Sequence, residues 1–437
     1  MSTTSLATTP KLRFVPDPDP LAEFMTGFPP AADRRIRFDD GSFYAWPQMK
    51  WSFNHIEDLV PTRTVWRGDG ASRPFEAGDP LDTAQIRFDT ADGRTLGWDE
   101  AYDELHTDGL VVLHRGRLVH ESYGGHGSAD LPHVIMSCAK SFVGTIATWL
   151  VHEGSLDRDA LVPTLIPELA DSAWRDATVG QVLDMLVSMT FDEDYLDPGS
   201  EVYRYLRSAG MLPMAPDDPG PRSFYDYLPE VRPAGRHGEA FAYREPNINV
   251  LGWLVRRASG RGLADLVSER IWRHLGAERD AAFMLDPSGA ETTMTMTVRD
   301  FARFGEMIRC GGRVGDVQVV PEAVADDPFL GGDPDLFTGA GPETMAGGSY
   351  RSQWWIRHID APEQARQGSQ GDSHGSTRPM ARGAHGQFLY VDRANQVVIA
   401  RTGSSRLPPS TLLDPVVFPL FDAVIAELTS APVDDAP

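Results

Sequence analysis

One stretch decides how the rest of this chain is interpreted: His133-Val134-Ile135-Met136-Ser137-Cys138-Ala139-Lys140-Ser141-Phe142-Val143-Gly144-Thr145-Ile146-Ala147-Thr148-Trp149-Leu150. Its apolar residues recur at three- and four-residue spacing, which predicts a helix with one buried face. Gly154 follows and is expected to end that helix. Ser137 and Lys140 then lie on the same side of the first turn, a potential nucleophile beside a potential base.

Lysine is rare in this chain. Of 40 basic residues, only Lys11, Lys50 and Lys140 are lysines. Arginine does not give up its proton, whereas a desolvated lysine can, so Lys140 on the core-facing side suits proton transfer from a hydroxyl. However, any Ser three residues before a Lys fits S-x-x-K. The stretch alone therefore leaves open a catalytic pair and a solvated lysine at a helix end.

Composition narrows the class of protein. The 437 residues are 41% hydrophobic, enough for a large core, and the formal charge of −23 argues against nucleic acid and anionic membranes as partners. Two cysteines, Cys138 and Cys310, cannot form a disulfide framework. With no signal-peptide pattern and no run of about 18 apolar residues, we expect a cytoplasmic protein. No Cys/His set has metal spacing and no phosphate loop follows a strand, so neither metal nor cofactor is expected.

The order of patterns along the chain predicts an α+β fold, an α/β sandwich. Residues 109–123 and 387–401 are expected to form β-hairpins, and the region between them is mostly helical. We therefore predict an antiparallel β-sheet built from both termini and flanked by helices, with an inserted all-helical subdomain and a ligand cleft at the junction. The predicted units are 1–45, an N-terminal extension; 46–155 with 291–437, the sheet-containing α/β subdomain; and 156–290, the helical subdomain. Residues 364–376 are interpreted as a loop, either a lid or an inert surface segment.

Two further segments could complete a hydrolytic site. Tyr243 lies on a turn that opens a helix, where a neighbouring cationic Lys is expected to lower the tyrosine pKa and allow proton exchange. The run Arg382-Gly383-Ala384-His385-Gly386-Gln387 enters a strand with two glycines, which indicates a close approach of the backbone. Ser137 at a helix N-terminus would offer its own N–H to an oxyanion.

These residues resemble the serine hydrolases of the β-lactamase and penicillin-binding-protein superfamily, and most of all the 6-aminohexanoate-dimer (nylon oligomer) hydrolases. The likeness covers residue 46 to the end. It is carried by Ser137-Cys138-Ala139-Lys140, by Tyr243 followed by Asn247, by Gly383 to Gln387, and by stretches such as Glu193-Asp194-Tyr195-Leu196-Asp197-Pro198, Arg299-Asp300-Phe301-Ala302-Arg303 and Ser349-Tyr350-Arg351-Ser352-Gln353-Trp354-Trp355.

The resemblance implies a β-lactamase-like fold and a role for each matching residue. Ser137 would be acylated, Lys140 would be its base and Tyr243 would relay the proton. The backbone N–H groups of Ser137 and Ala384 would hold the oxyanion. The implied substrate contacts are Tyr195, which would close over the amide, Trp355, which would line the pocket, and Asn247 and His385, which would form the remaining wall.

One departure affects the substrate. The second residue after the tyrosine is Ser or Asn in the family, whereas this chain has Glu245. A carboxylate at this position would favour a cationic amine or shift the pKa of Lys140, so Glu245 is added to the expected substrate-binding residues.

The expected function is hydrolysis of a small amide or ester through a Ser137 acyl-enzyme, with carboxylesterase side activity. The partner is a small-molecule substrate, and a homodimer is compatible with the sequence. One alternative is an acyltransferase or amide synthase that passes the acyl group to an amine. Another is a non-catalytic binding protein that retains the fold.

Overall fold

A seven-stranded antiparallel sheet organises the computed structural model, which describes residues 24–359 and 376–430. The two predicted hairpins lie side by side in this sheet, because Val397–Gly403 pairs with Thr107–His114. The sheet is thus built from both halves of the chain, as predicted. Its strands, in spatial order, are Ser349–Arg351, Trp354–His358, Thr377–Gly383, Gln387–Asp392, Val397–Gly403, Thr107–His114 and Arg117–Tyr123.

Alternating side chains of the central strands build two cores. Val111 and Leu113 face a core shared with the Ala139–His152 and Val298–Arg309 helices. Leu110 and Val112 face the opposite core, which the Asp414–Ser430 helix covers. Both faces of the sheet are apolar because both are covered by helices, and this arrangement confirms the α/β sandwich.

The predicted helix lies between the sheet and the helical region. A 3₁₀ turn over Met136–Cys138 leads into Ala139–His152, and Gly154 follows with a left-handed φ of 78°. The helix packs on the Pro246–Ser259 helix and also contacts the sheet. It therefore carries Ser137 and Lys140 to the junction where a cleft was expected.

The region 156–290 differs from the prediction in one respect, because it is not entirely helical. Ala281–Leu285 is a strand that pairs with Thr62–Val65 and Glu291–Met296 in a four-stranded sheet completed by His133–Val134. Five apolar residues in a row do not distinguish a buried strand from a helical turn.

The remaining α-helices are Met49–Ser52, Trp98–Glu104, Val162–Leu165, Val179–Leu183, Glu201–Ser208, Phe224–Tyr227, Leu263–Arg270, Glu322–Asp326 and Pro334–Phe337. The remaining strands form the pairs Arg87–Asp89 with Thr95–Gly97, Met189–Thr190 with Arg232–Pro233, and Arg313–Val314 with Val317–Gln318.

The chain is already packed before Trp46. Phe24, Ile36 and Phe43 are buried in a cluster that includes Met136 beside Ser137. The described part of the predicted extension therefore belongs to the folded body, although its Pro- and Asp-rich sequence has no periodicity to indicate this. Most of the predicted loop at 364–376 lies outside the described residues. Within the described ranges, no helix has the length and apolar content needed to cross a bilayer.

Candidate active site

The backbone around Ser137 is held against the end of a sheet strand. Met136, just before the serine, has a left-handed φ of 47°. A Cβ at Gly383 would lie 2.6 Å from the carbonyl oxygen of Ile135, a distance that only glycine permits. The close approach predicted from the glycines is therefore the contact that brings Ala384 beside Ser137, and both residues line the same two pockets.

Ser137, Lys140 and Glu245 form a three-membered hydrogen-bonded group. Lys140 Nζ donates to Ser137 Oγ at 2.8 Å and to Glu245 Oε1 at 2.7 Å, and Ser137 Oγ donates to the same Oε1 at 2.9 Å. The side chains of Lys140 and Glu245 are only 5% and 12% exposed, so this ion pair is largely removed from water. A charged pair at low exposure is sensitive to the loss of either partner.

Tyr243 lies over this group from the turn before the Pro246–Ser259 helix. Its hydroxyl donates to Glu245 Oε1 at 3.4 Å, and Lys140 Nζ stands 5.1 Å from its ring centroid. Burial, reinforced by the Glu245 carboxylate, raises the pKa of Tyr243 well above its usual value. The expectation of a lowered Tyr243 pKa is therefore wrong. The effect of desolvation is larger than the effect of the neighbouring ammonium, and it keeps this phenol protonated.

A second carboxyl group supports Glu245. The backbone N–H of Glu245 donates to Glu193 Oε2 at 3.0 Å, and Tyr195 O–H donates to Glu193 Oε1 at 3.4 Å. Burial, followed by repulsion from Glu245, raises the pKa of Glu193 to about 8. Near neutral pH, Glu193 is therefore mostly a neutral acid beside the Lys140–Glu245 ion pair.

Two pockets meet at Ser137. The first has an empty volume of about 550 Å³, including its open part, and mostly apolar walls that include Met136, Leu206 and Phe224. The second, of about 690 Å³, is bounded by Tyr243, Trp355, Arg244, Arg382 and residues 408–411. Ser137, Tyr195, Glu245 and Ala384 border both pockets. Ser137 therefore has open space on two sides. A nucleophile needs this, because one side receives the acyl part of a substrate and the other receives the leaving group.

Two of the expected wall residues lie behind the pockets. Asn247 is fully buried, accepts a hydrogen bond from Trp174 Nε1 at 2.9 Å and donates to Met185 Sδ. His385 is also buried, with Nδ1 2.6 Å from the Ser405 carbonyl oxygen and Nε2 2.9 Å from Tyr44 Oη. Burial lowers the pKa of His385 to about 4, so its ring is neutral. Both side chains support the walls and do not face the space beside Ser137.

The structure adds Tyr44 to the residues that line the first pocket. It lies in the segment expected to be an extension, and its hydroxyl is tied to His385. Nothing in the local sequence marks Tyr44. In contrast, Glu193 begins the stretch Glu193 to Pro198, which carries part of the family resemblance. It could therefore have been paired with Glu245 as the second acidic residue of the cleft. Among the described residues, no group of three or more His, Cys, Asp or Glu side chains is arranged to bind a metal ion.

Comparison with known proteins identifies the class. The β-lactamase family model matches residues 99–413, and the chain belongs to this family of serine hydrolases. Within it, the chain is 33% identical over 366 residues to the 6-aminohexanoate-dimer hydrolase of Paenarthrobacter ureafaciens, an alignment covering 82% of this chain and 86% of the relative. The resemblance drawn from the sequence is confirmed.

Solved structures agree with this assignment. A Bacillus anthracis protein, named as a candidate 6-aminohexanoate-dimer hydrolase, superposes with a TM-score of 0.79 at 26% identity and covers 92% of this chain and 99% of its own. EstCE1, described as a hydrolase with promiscuous acyltransferase activity, gives a TM-score of 0.55 at 15% identity over 75% of this chain and 96% of its own, which shows the fold alone.

Proposed function

We propose that this protein hydrolyses a small amide or ester through an acyl-enzyme on Ser137. The observation that carries the proposal is the Ser137 hydroxyl itself, which is hydrogen-bonded to Lys140 and Glu245 where two pockets meet. A structural serine needs neither a buried ion pair nor open space on both sides. A nucleophile needs a proton acceptor within hydrogen-bond distance and access for its substrate, and Ser137 has both.

In this proposal, Ser137 Oγ attacks the carbonyl carbon from the junction of the pockets. The backbone N–H groups of Ser137 and Ala384 receive the developing oxyanion, and Tyr243, which is neutral, gives a proton to the leaving group. Tyr195 and Trp355 border the space for the substrate. The apolar first pocket favours an aliphatic acyl chain, and the cationic Arg244 in the second favours a leaving group that carries a carboxylate.

The test combines covalent labelling with turnover. A serine-directed fluorophosphonate should add one adduct to the wild-type chain by intact mass and none to Ser137→Ala. A panel of p-nitrophenyl esters and short ω-amino-acid amides then identifies the acyl group. A wild-type protein that neither labels nor turns over any member would instead favour a non-catalytic binding protein.

Acyl transfer to an amine is the second candidate, favoured by the pocket beyond Ser137. Glu245 borders that pocket, and its carboxylate would attract an ammonium group. An ester substrate supplied together with short amines should then give amide as well as free acid. Free acid alone across the panel would leave hydrolysis as the function.

A further inference from the structure

We infer that Glu245 takes the proton of Ser137 during acylation and that Lys140 serves as a fixed cation. This inference rests on the proposed acyl-enzyme and replaces the role of base that the family resemblance implies for Lys140.

The distances around the serine oxygen carry the first step. Ser137 Oγ lies 2.8 Å from Lys140 Nζ and 2.9 Å from Glu245 Oε1. An ammonium at Lys140 can only donate to Oγ, so with the ion pair intact the serine proton points to Glu245 Oε1. The same carboxylate oxygen accepts from Lys140 and Tyr243. Glu245 is therefore already the acceptor of the proton that must move.

The ion pair carries the second step. To accept a proton, Lys140 would first have to be neutral. A neutral Lys140 would leave the Glu245 carboxylate, whose side chain is only 12% exposed, without its cation. Breaking a buried pair in this way is costly. In its ammonium form, Lys140 stabilises negative charge that develops on Ser137 Oγ, 2.8 Å away.

The other acidic groups around Glu245 do not compete with it for the serine proton. Glu193, whose pKa is raised to about 8, is mostly neutral near pH 7, and Arg244 is the charged neighbour along the chain. Tyr44, Tyr195, Tyr205 and Tyr350 also face this region, and burial raises the pKa of each well above its usual value. These four phenols stay protonated, so they do not compete for the serine proton.

The step balances without a co-reactant. The Ser137 O–H bond breaks as its proton passes to Glu245 Oε1, while Oγ forms a bond to the acyl carbon and the carbonyl electron pair moves onto its oxygen. When that pair returns, the bond to the leaving group breaks, and Tyr243 protonates the leaving group while Glu245 returns a proton to Tyr243. Water then attacks the ester carbonyl as its proton passes to Glu245. When the bond between Ser137 Oγ and the acyl carbon breaks, Glu245 returns this proton to Oγ and the free acid leaves.

The decisive experiment measures acylation of the full-length chain, as the p-nitrophenol burst from a p-nitrophenyl ester, with the adduct confirmed by intact mass. Glu245→Gln should slow the burst by about 10²-fold or more, and Glu245→Asp should recover part of it. A Gln variant that acylates as fast as wild type or faster would overturn the inference and return Lys140 to the role of base. Absence of any wild-type adduct would overturn the proposed function together with it.

Two further measurements hold even if Glu245→Gln fails to fold. In Glu193→Gln, which removes the neighbouring group that titrates at about pH 8, the burst rate should stay flat between about pH 7 and pH 9, because a carboxylate acceptor is already ionised throughout this range. A rate that keeps increasing through the alkaline range would instead identify a neutral amine. Lys140→Arg, which keeps the charge, should retain at least about tenfold more acylation than Lys140→Met. Equal and complete loss in both would contradict a fixed cation.

Discussion

The Ser137 site can be compared with a second polar cluster in the same protein, formed by Asp108, His133 and Ser404. In this cluster, His133 Nε2 lies 3.1 Å from Asp108 Oδ2, and Ser404 Oγ donates to Asp108 Oδ1 at 3.1 Å. All three side chains are buried, and none borders either pocket at Ser137. By residue type, this second cluster is the more familiar hydrolytic set.

The difference lies in which group is in the middle. A histidine that activates a serine must stand between the serine and the carboxylate. Here Asp108 stands between them, and His133 Nδ1 is directed to the carbonyl oxygen of Val134 at 2.7 Å. Packing also closes the cluster, since a Cβ at Gly127 would lie 2.0 Å from the Asp108 carbonyl oxygen. Residue types alone therefore do not identify a nucleophile; the order of the hydrogen bonds and access to space do.

The largest effect should come from replacing the two serines. Ser137→Ala should lower turnover of a p-nitrophenyl ester by at least about 10³-fold, because the nucleophile is gone. Ser404→Ala is the matched control and should keep wild-type turnover per folded molecule. Equal losses in the two variants would remove the distinction between the clusters.

The sealed cluster should matter for stability. Asp108→Ala should lower the free energy of unfolding by about 3 kcal/mol, because His133 and Ser404 lose their shared acceptor in the core. Urea denaturation measures this, with phosphonate labelling of the folded fraction as the activity reference. Unchanged stability, or a lower rate of labelling per folded molecule, would contradict a purely structural role.

Tyr243→Phe should separate two classes of substrate. An alkyl ester or amide, whose leaving group needs a proton, should lose about 10²-fold in turnover. A p-nitrophenyl ester should lose clearly less, because p-nitrophenolate leaves without a proton. Phe keeps the ring beside Trp355, so the aromatic contact is preserved. The same loss on both substrates would indicate that Tyr243 only shapes the pocket.

The smallest effect concerns pH. The pKa of Glu193 is raised from an ordinary 4.5 to about 8 in the folded protein, so between these values the folded state holds a proton that the unfolded state has released. Its contribution to stability is therefore complete below about pH 4.5 and is lost as the pH rises to about 8. Glu193→Gln should flatten the decrease in Tm across this window in thermal denaturation. A variant with the wild-type slope would show that Glu193 titrates alike in both states.

Local patterns predicted most of the fold. The spacing of apolar residues predicted the Ala139–His152 helix. The two hairpins followed from β-rich runs around turn residues. The Ala281–Leu285 strand was missed because five apolar residues carry no clear period.

The sequence predicted those parts of the site whose residues are close together in the chain. It did not predict the contacts between residues that are far apart in the chain. Ser137 and Lys140 share one turn, so their proximity follows from the sequence. Glu245 is 105 residues from Lys140, and no spacing rule specifies which oxygen the serine proton faces. Tyr44 and His385 are farther apart still, at 341 residues, and only tertiary packing explains why His385 supports the wall.

The contact between Gly383 and Ile135 has a consequence for biosynthesis. The nucleophile and one of its two expected oxyanion donors come from distant parts of the chain. The strand Thr107–His114 pairs with its neighbour Arg117–Tyr123, but its second partner is Val397–Gly403, far along the chain. A polypeptide that ends before residue 384 therefore contains Ser137 but lacks the backbone N–H of Ala384, one of the two expected oxyanion donors. Such a polypeptide should not react with a phosphonate. Reaction of Ser137 with a phosphonate therefore indicates that both halves of the sheet have been synthesised and have paired.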